Sequence, residues 1–145
     1  MTEEHPNAAA YRRTVDAFRA MDFVAVRSLI ADDVVWHVPG DHQMAGEIRG
    51  LEALIDWLGR LAALGFTINE HDVLGSDDHV VALSYIGARR PNVEVETRVV
   101  SVFHFRDGRQ LERWLSGRSG SLGCNLPGLT RRAIAISEPA LGRVG

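Results

Sequence analysis

A chain of 145 residues with 46% apolar and 24% charged residues has the balance of a single globular domain and excludes a disordered one. At this length folding buries roughly two thirds of the unfolded surface, so neither a metal nor a disulfide is required to hold the fold. The net charge is −3, and 16 basic residues are dispersed among 19 acidic ones; without a basic block to neutralise successive phosphates, nucleic acid is disfavoured as a partner.

In chain order, Asn7 is placed to cap a helix over 8–20, whose Tyr11, Val15, Phe18 and Met21 share one face. Asp22 caps a second, short helix over 23–30, with Val26, Leu29 and Ile30 inward, and Ala31-Asp32-Asp33 ends it. The β-branched and aromatic run Val34-Val35-Trp36-His37-Val38 reads as a strand stopped by Pro39-Gly40, and 41–50 reads as a loop. A third helix over 51–64 buries Leu51, Leu54, Ile55, Leu58, Leu61 and Ala62, with Gly65 as its C′ residue. Three β-rich runs follow, over 66–74, 79–88 and 93–106, separated by the turn signals GSDD and RRPN. Asp107-Gly108 then marks a hairpin into a fourth run over 110–115. Helices first and an antiparallel meander second predict an α+β fold. The last thirty residues are Gly- and Ser-rich, with only a weak helical stretch over 130–137.

Met1 to Asn7 has neither the basic start nor the apolar core of a signal peptide, and no run approaches the ~20 apolar residues of a membrane span. The lone Cys124 fits a reducing compartment. These features predict a cytoplasmic protein without membrane contact.

Four segments, in this order, resemble the SnoaL-like, ketosteroid-isomerase-like proteins of the nuclear-transport-factor-2-like superfamily. DFVAVRSLIADDVVWHVPG is similar to the passage from the second helix to the first strand, and GEIRGLEALIDWL to the entry of the third helix. HDVLGSDDHVVAL is similar to the central hairpin, and VVSVFHFRDGRQLERW to the closing strands. The resemblance covers about 8–114 and implies one domain over 1–145 with an atypical tail from 115. It implies a cone-like curved antiparallel sheet packed on three N-terminal helices (a cystatin-like fold). The concave face would line an apolar small-molecule pocket, and the convex face would form a homodimer.

With alternate strand residues facing opposite ways, Trp36 and Val38 point into such a pocket, as do Thr97, Val99, Ser101 and Phe103. Val35, His37, Arg98, Val100, Val102 and His104 point outward. Tyr11, Thr14, Tyr85 and Trp114 complete the expected pocket. Trp57, off the main stripe of its helix, is expected in core or interface packing. The aromatic residues serve equally as walls for a ring-shaped ligand or as plain core filling.

An isomerase needs a carboxylate base and acidic oxyanion donors in a dry pocket. The resemblance puts the base at Val38, a tyrosine donor at Thr14 and an acid donor at Ser101, so all three are missing. The acid of SnoaL-type cyclases falls at Ser101 as well, and a serine is no base near neutral pH without help. An Arg-x-Asp of the epoxide-hydrolase type is absent from Val80-Val81-Ala82-Leu83-Ser84-Tyr85. His42, in the loop by the pocket mouth, is the remaining candidate general base, with a solvated loop histidine as the competing reading. His37 with His42, and His71 beside Asp72, lack a second cluster at ligand spacing, so no metal and no cofactor are expected. The leading expectation is a small-molecule binder, or an enzyme of proton transfer or hydration on a cyclic ligand. The alternative is a non-catalytic dimeric interaction module, which an empty, polar or filled cavity would favour.

After ERW the related proteins continue with an acidic pair and an aromatic, acidic helix start, whereas this chain reads LSGRSGSLGCN. Codons for that string can be chosen so that, read one nucleotide later, they encode Ser-Pro-Asp-Asp-Leu-Ala-Arg-Trp-Asp-Ala, which is similar to the expected ending. A frameshift is therefore predicted to have replaced the tail from about Leu115. Sequencing the gene checks this, and codons that forbid the shifted reading would refute it.

Overall fold

The computed structural model describes residues 3–40 and 43–116. Its elements are α1 (Pro6–Arg19), α2 (Phe23–Leu29), β1 (Ile30–Val38), β2 (Gly46–Arg49), α3 (Leu51–Ala63), β3 (Phe66–Gly75), β4 (His79–Arg90), β5 (Val93–Arg106) and β6 (Arg109–Ser116). The class is α+β, with three helices against one sheet. His42, Cys124 and the stretch over 130–137 lie outside the described residues.

Local chemistry sets the helix ends. His5, not Asn7, caps α1: its ring nitrogen accepts from the Asn7 backbone N–H at 3.1 Å. Pro6 then occupies the first turn, where a missing N–H costs nothing. The Asn7 side chain instead donates to the carbonyls of Ser76 and Asp77, each at 2.9 Å, which fastens α1 to the β3–β4 turn. Asp22 caps α2 as expected, accepting from the Ala25 N–H at 3.0 Å. Gly65 follows α3 at φ +76°, where an added Cβ would lie 2.5 Å from the Arg89 carbonyl oxygen. Both its left-handed backbone and this close approach require glycine.

The sheet order is β2-β1-β6-β5-β4-β3. Every neighbouring pair is antiparallel except β1 with β6, which is parallel. The sheet is thus mixed where an antiparallel one was expected. β6 is the last strand of the meander, and it meets β1, an element remote in sequence, running the same way. Two further corrections concern β1 and β2. β1 begins at Ile30, directly from α2, rather than at Val34. The expected loop over 41–50 contains β2, which pairs with β1 from Val35↔Arg49 to Val38↔Gly46. A four-residue edge strand is too short to show a hydrophobic period, so its pairing rather than its side chains defines it.

The registers of β1–β6, β3–β4 and β5–β6 each shift once, at Ile30/Val35, Glu70/Asp72 and His104/Phe105. Such irregularities bend strands and increase their twist, which curves the sheet. The Asp107-Gly108 hairpin signal holds: both residues have positive φ, 54° and 76°, as a primed two-residue turn requires. The inward face of the sheet, with Val34, Val80, Ala82, Phe103 and Phe105, forms one core with Tyr11, Val15, Val26, Leu54, Leu58 and Leu61 of the helices.

Gly87 sits in the middle of the sheet, paired with Thr67 on one side and Glu96 on the other. A Cβ there would lie 1.8 Å from the Val95 carbonyl oxygen, and neither neighbour strand can give way without losing its ladder. Gly87→Ala should therefore lower the unfolding free energy by about 1–3 kcal/mol, read from the urea midpoint at unchanged slope.

Candidate functional site

Between the helices and the inward face of the sheet lies a cavity whose walls include Tyr11, Thr14, Trp36, Val38, Met44, Trp57, Ser101, Phe103, Gln110 and Arg113. Traced by the centres of water-sized spheres it measures ≈ 80 Å³, several times the ~10–15 Å³ that one water needs. The aromatic walls hold one another edge-on. The Trp36 ring lies 6.0 Å from Trp57 at 67° and 6.1 Å from Phe103 at 68°, and Tyr11 lies 4.8 Å from Phe103. Trp57 is core packing and cavity wall at once, fixed by its indole N–H donating to the Met44 carbonyl at 3.0 Å.

Of the residues expected at a pocket, Tyr11, Thr14, Trp36, Val38, Ser101 and Phe103 lie around this cavity. Val99 faces the same side of the sheet and is buried behind Ile86, which lines the cavity while Val99 does not. Tyr85 and Trp114 are corrections, since both stand on the outer face. Tyr85 pairs with Arg98, whose guanidinium lies 5.9 Å over its ring. Trp114 is 39% exposed and stacks on His37 at 6.0 Å. His37 in turn meets Glu112 at 2.7 Å, and His104 stacks on His79 at 4.6 Å. His42 lies outside the described residues.

At the positions where the resemblance put catalytic groups, Val38 is apolar and the Thr14 hydroxyl donates to the Ala10 carbonyl of its own helix at 3.0 Å. Ser101 accepts from Arg113 Nη2 at 3.5 Å, the limit of a hydrogen bond.

Arg113 and Gln110 were not expected here. Both are buried, at 8% and 1% exposure. The Arg113 guanidinium lies 4.5 Å over the Trp36 ring and 5.9 Å from Phe103. Its Nε, the Gln110 Oε1 and the Trp36 Nε1 have no hydrogen-bond partner among the described residues. The signal in the sequence was the hairpin itself. Counting back from Asp107-Gly108 pairs Arg106 with Arg109 and Phe105 with Gln110, which puts Gln110 inward. One bulge later, Arg113 rather than Glu112 faces Phe103.

Burial dominates the electrostatics. It pushes the Arg113 guanidinium down to about 10, which leaves it charged at neutral pH. Burial, with the charge of Glu70 behind it, pushes the Tyr11 phenol up to about 12, although Arg113 pulls the other way. The neutral phenol is favoured by folding, so this contribution to stability is complete below pH 10 and is lost as pH rises through about 12. In an alkaline titration followed by the phenolate ultraviolet band, one of the two tyrosines should ionise only near pH 12 or on unfolding. Tyr11→Phe should remove that late phase.

The SnoaL-like domain model matches residues 11–113. The uncharacterized protein Rv0034 of Mycobacterium tuberculosis is 32% identical over 102 residues, covering 68% of this chain and 78% of that protein. Among solved structures, Bal32a from a soil-derived mobile gene cassette superposes with a TM-score of 0.71 at 29% identity, covering 77% of this chain and 88% of its own. RV0760c from Mycobacterium tuberculosis, in complex with estradiol-17β-hemisuccinate, shares the fold with a TM-score of 0.69 at 18% identity, covering 79% of this chain and 95% of its own. The aromatic-walled cavity between three helices and a curved sheet is thus set in a fold shared with these proteins, and the chain belongs to the SnoaL-like domain family.

Proposed function

We propose that the protein binds a compact, apolar, ring-bearing small molecule in the cavity behind Trp36. The observation that carries this reading is the wall itself: Trp36, Trp57, Phe103 and Tyr11 enclose the space, and a few buried polar atoms on it lack partners. Apolar concavities with a small number of fixed polar groups are the usual form of a ligand site. An open apolar cavity with converging polar groups favours a binder over the interaction module, and the apolar walls with the unpartnered atoms of Trp36, Gln110 and Arg113 support that reading. RV0760c, of the same fold, holds a steroid ester, which supports a ring-shaped ligand.

Proton transfer or hydration is the turnover this family suggests. The cavity wall among the described residues carries no carboxylate to act as base, so binding comes first in this reading. Tyr11 and Arg113 are the groups able to stabilise negative charge developing on a bound oxygen.

Titration with a panel of steroids and aromatic polyketides, read by tryptophan fluorescence, tests this. Saturable quenching is expected, lost only when both wall indoles are replaced (Trp36→Phe with Trp57→Phe) and kept in Trp114→Phe, whose ring is on the outer face. A flat response from folded protein across the panel would overturn the reading.

A further inference from the structure

We propose that Arg113 is an anion anchor, and that the ligand of the cavity is an organic carboxylate whose ring lies among the aromatic walls. The inference rests on the ligand reading above and adds the chemical class of what is bound.

The starting point is an unbalanced charge. Arg113 stands on β6 between Trp36 of β1 and Phe103 of β5, its partners in register on either side. It is 8% exposed, and no carboxylate among the described residues lies within ion-pairing distance of it. Other arginines meet carboxylates, as Arg106 meets Asp33 at 2.7 Å, Arg89 meets Glu94 at 2.9 Å and Arg19 meets the buried side chain of Glu70 at 3.1 Å. Desolvating a cation carries a large penalty. The cation–π contact with the Trp36 face offsets only part of it. Stability alone therefore gives no reason to bury this group, whereas a bound counter-ion does.

Geometry names the counter-ion. The guanidinium carbon lies over the indole at 4.5 Å, which closes that side of the group. Nε–H and the adjacent Nη2–H form the side-on fork that a carboxylate engages with two parallel hydrogen bonds. In this structure Nε has no partner, and Nη2 has only the 3.5 Å contact with Ser101 Oγ. The Trp36 N–H, also unpartnered, is a third donor on the same wall. Apolar surroundings strengthen such a pair and select for a ligand that brings its own ring.

The test is a matched pair of ligands on the full chain: naphthoate and methyl naphthyl ketone, which share a ring system and differ in charge. By titration calorimetry at neutral pH, naphthoate should bind the wild type at least tenfold more tightly than the ketone. Arg113→Met should abolish that preference, lowering naphthoate affinity at least tenfold more than ketone affinity, and Arg113→Gln gives the same readout should the methionine variant not fold. Replacing an unpaired buried ion by an apolar side chain is often neutral or stabilising, so a raised urea midpoint for ligand-free Arg113→Met is also expected. Equal affinity of the wild type for both compounds would overturn the anchor while leaving the ligand reading intact. A preference for naphthoate that survives in both variants would also overturn it. If the wild type binds neither compound, the anchor and the ligand reading fall together.

Discussion

The extra residue that β6 carries opposite β5 decides what the concave face of this protein is made of. Up to Phe105 and Gln110 the two strands run in a regular hairpin register, and beyond the shift at His104/Phe105 every partner is displaced by one. In a sheet a one-residue shift exchanges the faces. Without it Glu112 would stand opposite Phe103 and enter the core; with it Arg113 does, and Glu112 turns out to meet His37. The sign of the charge inside the cavity thus follows from a backbone irregularity rather than from residue composition. The parallel pairing of β6 with β1 keeps the same choice, since Trp36 and Arg113 are partners there.

The walls around that charge are held by the aromatic contacts and by few polar bonds. Trp36 touches Trp57, Phe103 and Arg113 together, so it joins α3, two strands of the sheet and the buried cation. Trp57 closes the arrangement by bonding the Met44 carbonyl, which ties the segment before β2 to α3. The helices cover the curved face but do not fill it, and the residual space is walled in part by Thr14, Val38 and Ser101. The fold is shared with the family, while chemistry resides in sites rather than in folds.

The outer face has a different character. His79, His104, Trp114 and His37 lie in a row across β4, β5, β6 and β1, each ring against the next. Trp114 belongs to this row because the displaced register that turns Arg113 inward turns its neighbour outward. One shift in pairing therefore explains both an unforeseen cation inside and an unforeseen tryptophan outside.

The sequence by itself determined every element but β2, and their order. Helical periodicity marked α1 and α3, Asp22 and Gly65 marked caps that the backbone uses, and Asp107-Gly108 marked the hairpin, because each of these signals is local and depends on the conformations a few residues can adopt. Strand alternation also placed Trp36, Val38, Ser101 and Phe103 on one face, since their strands are regular where these residues stand. Only the tertiary structure decided the rest. The pairing of β1 with β2 and β6, the bulge beside His104, and the capture of Asn7 by the β3–β4 turn are contacts between segments remote in sequence. Alternation has no way to register an inserted residue until the partner strand is known, so Trp114 read as pocket and Arg113 went unassigned until the strands were paired.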